Sequence, residues 1–173
     1  GSIFTFKCTI GGVKNIELIT ELPLDGFLNE ASSVNFQLSK FSGKILIAED
    51  NSDNRLLLKI LLEKLGANVM LAENGQQAMD RAIREDFDLI FMDVQMPIMD
   101  GLAATSKLRE LGYTNAIVAL TANALCEDRD KCLSKGCNDC ITKPVELKRL
   151  HEILTKYLIS IEGKTHTNSL TPV

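Results

Sequence analysis

Between residues 43 and 160 the chain switches five times from a short apolar run to a segment of helical period. This alternation constrains the fold more than any other feature of the sequence. Lys44-Ile-Leu-Ile-Ala48, Asn68-Val-Met-Leu71, Asp88-Leu-Ile-Phe-Met92 running into Asp93, Ala116-Ile-Val-Ala-Leu120 and Cys140-Ile-Thr142 are the five runs. Strands buried on both faces give continuous apolar runs of this kind. Between them, residues 52–65 carry Leu57, Ile60, Leu61 and Leu65 at helical spacing, with Gly66 as the stop. Asn74 opens a second helix, with Gln77 in the capping-box position. Further helices are expected over 101–111 and over 123–135, the latter closed by Gly136. A final helix is expected with Pro144 in its first turn and Leu147, Leu150, Ile153, Leu154, Tyr157 and Leu158 on one stripe. Such alternation predicts βαβ units and a parallel sheet, with right-handed crossovers that put helices on both faces.

Composition narrows the function. Of 173 residues, 45% are apolar and 24% charged, the balance of a soluble globular chain with enough length to bury a core. A net charge of −4 argues against a generally basic nucleic-acid binder, and the absence of Trp, with only 5% aromatics, argues against a base-stacking platform. No apolar stretch approaches the roughly 20 residues of a membrane span. No charged segment precedes an apolar run as in a signal peptide. With Gly1-Ser2 in place of an initiating Met, the sequence is expected to be a fragment or a processed form. Five cysteines, four of them between Cys126 and Cys140, are an odd and clustered set, which reads as reduced and cytoplasmic.

In an open parallel α/β sheet, ligands bind beyond the carboxyl ends of the strands. Glu49 and Asp50 follow the first run, Asp93 ends the third, Thr121 follows the fourth, and Lys143-Pro144 follows the fifth. The second run, ending in Leu71-Ala72, is read as bringing no charge to this rim. Three carboxylates about 4 Å apart repel by about 4 kcal/mol per pair at an effective dielectric near 20. They are tolerable around a cation, and oxygen ligands favour a hard divalent ion, Mg²⁺ above others. The competing reading is three solvated carboxylates at helix N-termini; Lys143 and Thr121 on the same edge weigh against it. A carboxylate beside a divalent cation and an ammonium can attack phosphorus and form an aspartyl phosphate. Asp93, at the end of the most apolar strand, is assigned as nucleophile and Glu49-Asp50 as the metal holders. The backbone carbonyl of Gln95, two residues past Asp93, is assigned as a further oxygen ligand. Lys143 and Thr121 are assigned to the phosphoryl oxygens. In Met96-Pro-Ile-Met-Asp-Gly101, Pro97 stiffens the turn and Gly101 is expected to supply unusual backbone angles, while Met96 and Met99 pack as apolar residues.

Together, Glu49-Asp50, Asp93 within Met-Asp-Val-Gln-Met-Pro-Ile-Met-Asp-Gly, Thr121 within Ala-Leu-Thr-Ala-Asn, and Lys143-Pro144 resemble the receiver domain of two-component response regulators. The resemblance spans residues 43–160. It implies a flavodoxin-like, doubly wound sheet of five parallel strands in the order 2-1-3-4-5. Ala48-Glu-Asp-Asn51 with Asn54, and Ala72-Glu-Asn-Gly75, are similar to receivers fused to hybrid sensor histidine kinases. Gly1-Ser-Ile-Phe-Thr-Phe6 resembles the last strand of a histidine-kinase ATP-binding domain, with Phe4, Phe6, Cys8 and Ile10 alternating onto one face. Residues 1–10 are therefore expected to be that strand, 11–42 a linker and 161–173 a loose tail. The resemblance implies that Asp93 takes a phosphoryl group from a phosphohistidine of a kinase core or a histidine phosphotransfer domain. It then hydrolyses it or passes it on, with Mg²⁺ bound and without nucleic-acid or membrane contact by this fragment. The parent protein would be a histidine kinase with a cytoplasmic receiver, anchored to a membrane or not. In the family an aromatic residue three before the lysine reports activation; here that position is Cys140.

Other signals carry less. Cys137-Asn-Asp-Cys140 suggests a redox pair or half a zinc site, but packing is the expected role of these cysteines. His151-Glu152 and Lys148-Arg149 are read as solvated helix residues. Glu127-Asp-Arg-Asp130 is read as an acidic helix start. Two other functions are weighed. A phosphohydrolase of the haloacid-dehalogenase type would place Asp-x-Asp after the first strand, where Glu49-Asp50-Asn51-Ser52 stands. A receiver-like module used only for docking would be expected to lack Asp93 or Lys143.

Overall fold

The apolar runs become strands whose alternate residues feed two cores at once. The computed structural model describes residues 40–122 and 126–160. The expected kinase strand, most of the linker and the C-terminal tail lie outside these. The elements are β1 (Phe41–Ser42), β2 (Lys44–Ala48), α1 (Ser52–Lys64), β3 (Asn68–Ala72), α2 (Gly75–Arg84), β4 (Leu89–Asp93), α3 (Gly101–Glu110), β5 (Ala116–Thr121), α4 (Cys126–Ser134), β6 (Asp139–Thr142), α5 (Leu147–Tyr157) and β7 (Ile159–Ser160). Five strands form one parallel sheet in the order β3-β2-β4-β5-β6, which is 2-1-3-4-5 when these strands alone are counted.

Strand period assigns the faces. Ile45, Ile47, Leu89, Phe91, Val118, Leu120 and Ile141 pack under α1 and α5 through Leu58, Leu62, Leu150, Ile153 and Leu154. Leu46, Ala48, Ile90, Met92, Ile117 and Ala119 face α2, α3 and α4 through Ala78, Ala82, Leu102, Ala104, Leu108 and Cys132. Burying the side chains of both faces is worth about 25 cal/mol per Å² of apolar surface, which makes these two layers the main stabilising term.

Several local expectations change. Phe41 and Ser42, read as the end of the linker, form β1, antiparallel to β7. Phe41 is fully buried in the core, and its amide donates to the Leu65 carbonyl at 2.8 Å. Gly66 takes φ +95° there, and a Cβ on it would stand 2.7 Å from the Phe41 carbonyl oxygen, so the turn needs glycine twice over. Pro144 is not in the last helix: α5 starts at Leu147, and Val145 between them packs against the core. At α2 the Asn74 side chain accepts from the Gln77 amide at 2.9 Å. Gln77 Oε1 accepts from the Glu73 amide at 3.1 Å, one residue before the cap, so the box closes one position early. His151 is not a solvated residue: it is half-buried, with its ring edge-on to Phe41 at 5.2 Å. Arg149 is likewise tied down, its guanidinium 3.2 Å from Asp139 and 2.9 Å from Glu152.

Candidate functional site

Parallel strands deliver their carboxyl ends to one rim, and the acidic and basic groups gather there. The order β3-β2-β4 opens a crevice where the chain reverses direction across the sheet, beyond the ends of β2 and β4. Glu49 and Asp50 leave β2 there and Asp93 closes β4. Oxygen atoms of the three carboxylates lie within 4.8 Å of one another, the only such grouping of His, Cys, Asp or Glu side chains among the described residues. Glu49 and Asp93 are buried and Asp50 is exposed.

Lys143 bridges two of the acids. Its Nζ stands 2.6 Å from Glu49 Oε2 and 2.7 Å from Asp93 Oδ2. Its position is set from the backbone, since the Lys143 amide donates to the Thr121 carbonyl at 2.7 Å as β6 ends beside β5. Thr121, the buried last residue of β5, lies one residue past Leu120, which pairs with Asp93 in the sheet. The Gln95 amide donates to Asp93 Oδ1 at 3.2 Å, so the loop after β4 turns over the carboxylate. All six residues singled out in the sequence therefore occupy one rim.

Burial is the largest influence on Asp93 and raises its carboxyl above the usual range; the Glu49 charge adds to this, and the Lys143 bond opposes it without prevailing. For Lys143 burial is also the largest single influence and acts downward, but its bonds to Asp93 and Glu49 and their charges together raise the ammonium above its ordinary value. One lysine thus leaves the acidic trio incompletely neutralised. Two carboxylates at 4.8 Å still repel by about 3 kcal/mol at an effective dielectric near 20. The donor set is all oxygen, and Asp50 faces solvent with no hydrogen bond to its carboxylate among the described residues. These residues fit a hard divalent cation of the Mg²⁺ kind.

Gly101 acts differently from the expectation. Its φ is not positive; a Cβ there would collide with the Asp93 carbonyl oxygen, so the residue is needed for the close approach of α3 to the end of β4. The unusual angle falls instead on exposed Ile98, at φ +69°, where the Met99 amide donates back to the Pro97 carbonyl at 2.8 Å. The described cysteines serve packing: Cys132 of α4 and Cys137 are buried in the layer that faces α2 and α3, and Cys140 packs against it. Cys137 Sγ lies 3.9 Å from Thr105 Oγ1, and burial pushes its thiol up to about 11. A thiol held protonated in this way is a poor nucleophile and metal ligand.

Two residues of the site escaped the sequence reading. Arg55 on α1 donates from Nη1 to the backbone carbonyls of Glu49 at 2.6 Å and Asp50 at 3.2 Å. Its Nη2 donates to Glu73 Oε1 at 3.1 Å. Glu73 directly succeeds β3, so the second strand does bring a charge to the rim. Its signal in the sequence is its place one residue past Ala72, the same position that Glu49 holds past Ala48.

Comparison with known proteins agrees with this geometry. The family model of the response regulator receiver domain matches residues 45–155. The chain is 42% identical over 130 residues to the osmosensing histidine protein kinase SLN1 of Saccharomyces cerevisiae, covering 71% of the chain and 11% of that protein. It is 38% identical over 121 residues to the signal transduction histidine-protein kinase BarA of Escherichia coli K12, covering 69% and 13%. Among solved structures, the receiver domain of the sensor histidine kinase PA1611 from Pseudomonas aeruginosa, with a magnesium ion coordinated in its active site cleft, is 41% identical with a TM-score of 0.62. That match covers 67% of this chain and 97% of that one. The receiver of Ssk1, solved with the histidine phosphotransfer protein Ypd1 of S. cerevisiae, is 35% identical with a TM-score of 0.64, covering 69% and 89%. The chain belongs to the response regulator receiver domains, of the kind carried by hybrid histidine kinases in two-component phosphorelays. It spans about a tenth of the length of those kinases.

Proposed function

We propose that Asp93 is the phosphoacceptor of a phosphorelay and takes its phosphoryl group from a phosphohistidine. The observation that carries this reading is Lys143 Nζ seated between Glu49 and Asp93 on an open acidic rim. In the transfer a carboxylate oxygen of Asp93 forms a bond to phosphorus as the phosphorus–nitrogen bond of the donor breaks, and the electron pair returns to the imidazole. Glu49, Asp50 and Asp93, with the Gln95 carbonyl, would hold Mg²⁺. Bound there, the metal supplies charge neutralisation at the phosphoryl oxygens. Lys143, already bonded to Asp93, screens the negative charge that arrives. The Thr121 hydroxyl, at the neighbouring strand end, donates to a phosphoryl oxygen.

The donor would be a histidine-kinase core or a histidine phosphotransfer domain. Support comes from the surface beside the crevice, where Leu57 and Leu61 of α1 line a cleft with Pro144 and Val145 next to Lys143. Leu57 is more than half exposed. Such an apolar patch suits a helical partner that brings its histidine over the rim. We place the domain in the cytoplasm as the receiver of a longer hybrid kinase. With acetyl phosphate and Mg²⁺, the intact mass is expected to rise by one phosphoryl group, and a chelator is expected to abolish the gain. No gain in Mg²⁺, or an equal gain with the chelator, contradicts the reading.

A further inference from the structure

We infer that Arg55, braced by Glu73, is the positioning residue that fixes Asp50 for the metal, an inference that rests on reading the acidic trio as a Mg²⁺ site. The three carboxylates are held in different ways. Glu49 is gripped by Lys143 and receives weaker bonds of 3.4 Å from the Asn51 amide and Asn54 Nδ2. Asp93 is held by Lys143 and the Gln95 amide. Asp50 is exposed, and among the described residues its carboxylate has no hydrogen bond, so its place depends on its backbone.

That backbone is clamped from one side. Arg55 Nη1 reaches the carbonyls of both Glu49 and Asp50, the two peptide units that flank the Asp50 α-carbon. The Arg55 side chain is only 14% exposed, so its donors have few competing waters. Glu73, leaving the adjacent strand, fixes its other nitrogen, and the Glu49 amide bonds the Ala72 carbonyl at 3.1 Å beside it. The end of β3 and the first turn of α1 thus hold the β2–α1 loop as a rigid mount. Only a planar fork can meet three acceptors in fixed directions, which a lysine ammonium on a flexible stem does not reproduce.

At Arg55 charge and geometry make opposite demands, and this separates them. Loss of a nearby positive charge alone would tighten cation binding. Loss of the mount would weaken it, by about tenfold as for outer-shell partners of metal ligands. Arg55→Lys keeps the charge and removes the fork. The test is calorimetric titration of Mg²⁺ into the full chain, for wild type, Arg55→Lys, Glu73→Ala, Asp50→Ala and the Arg55→Lys/Asp50→Ala double variant. Arg55→Lys is expected to weaken Mg²⁺ about tenfold and Glu73→Ala by a smaller factor, while Arg55→Lys has no further effect once Asp50 is alanine. Wild-type affinity in both Arg55→Lys and Glu73→Ala overturns the inference, as does an equal loss from Arg55→Lys in the Asp50→Ala background. If Arg55→Lys does not fold, Glu73→Asp, which keeps the carboxylate charge but shortens its reach to Arg55, replaces it: weaker Mg²⁺ binding supports the inference and wild-type affinity overturns it. Wild type that takes up no Mg²⁺ sinks the reading of the trio itself, a separate result.

Discussion

Asp93 shows how one side chain can cost stability where it serves chemistry. Its carboxyl is raised by burial and by Glu49, so the ionised form is disfavoured in the folded state. The penalty is present at neutral pH and vanishes below the ordinary carboxylate range, where folded and unfolded forms are both protonated. Asp93→Asn is therefore expected to raise the urea midpoint at pH 7 without Mg²⁺, with the gain disappearing as the pH falls below about 4. An unchanged or lower midpoint at pH 7 would show that the Lys143 bond outweighs burial. Ile98 offers a second case. A β-branched residue at φ +69° in a three-residue turn is strained by about 1–3 kcal/mol. Its side chain is 84% exposed and contributes little packing in return. Ile98→Asn is expected to stabilise the fold by about 0.5–1 kcal/mol in denaturant melts.

At the scale of elements, Asp139 joins α4, β6 and α5. This buried carboxylate opens β6 and meets Lys156 at 3.0 Å, Arg149 at 3.2 Å and Arg129 at 3.7 Å. Burial is the largest single influence on it and acts upward, but the Lys156 bond, the Cys140 amide and the surrounding charges together lower its carboxyl. Its stabilisation is thus present above the ordinary carboxylate range and is lost as pH falls through its lowered value. Asp139→Asn is expected to cost about 1–2 kcal/mol at pH 7, less than a fully buried pair because Arg149 and Lys156 can return to water. The difference from wild type should fade in melts near pH 2, and one that persisted there would assign the effect to packing. Helix α1 makes a different prediction. Leu57→Asp on its exposed face is expected to slow phosphotransfer from a protein donor at least tenfold while leaving labelling by acetyl phosphate unchanged. Equal slowing with both donors would place Leu57 in the fold rather than in docking.

For the molecule as a whole, legibility in the sequence depends on the distance over which each feature is decided. The five central strands are visible because burial on both faces leaves unbroken apolar runs, and the strand-end rule then brings Glu49, Asp50, Asp93, Thr121 and Lys143 to one rim. β1 is hidden, because two residues whose partner strand comes after the last helix carry no local pattern. The role of Gly101 is decided by a helix approaching the end of β4, and that of Arg55 by two carbonyls and a carboxylate from another strand. His151 reads as polar by type, and only the tertiary fold sets it against Phe41.

The most direct measurement is transfer from a phosphorylated histidine phosphotransfer domain in Mg²⁺, with mass mapping of the labelled peptide and wild type compared with Asp93→Asn. The expected result is one phosphoryl group on the peptide that holds Asp93 in wild type and none in Asp93→Asn. A label that persists in Asp93→Asn, or that maps to Glu49 or Asp50 in wild type, would mean that the bridge between Lys143 and Asp93 is not the seat of phosphoryl capture.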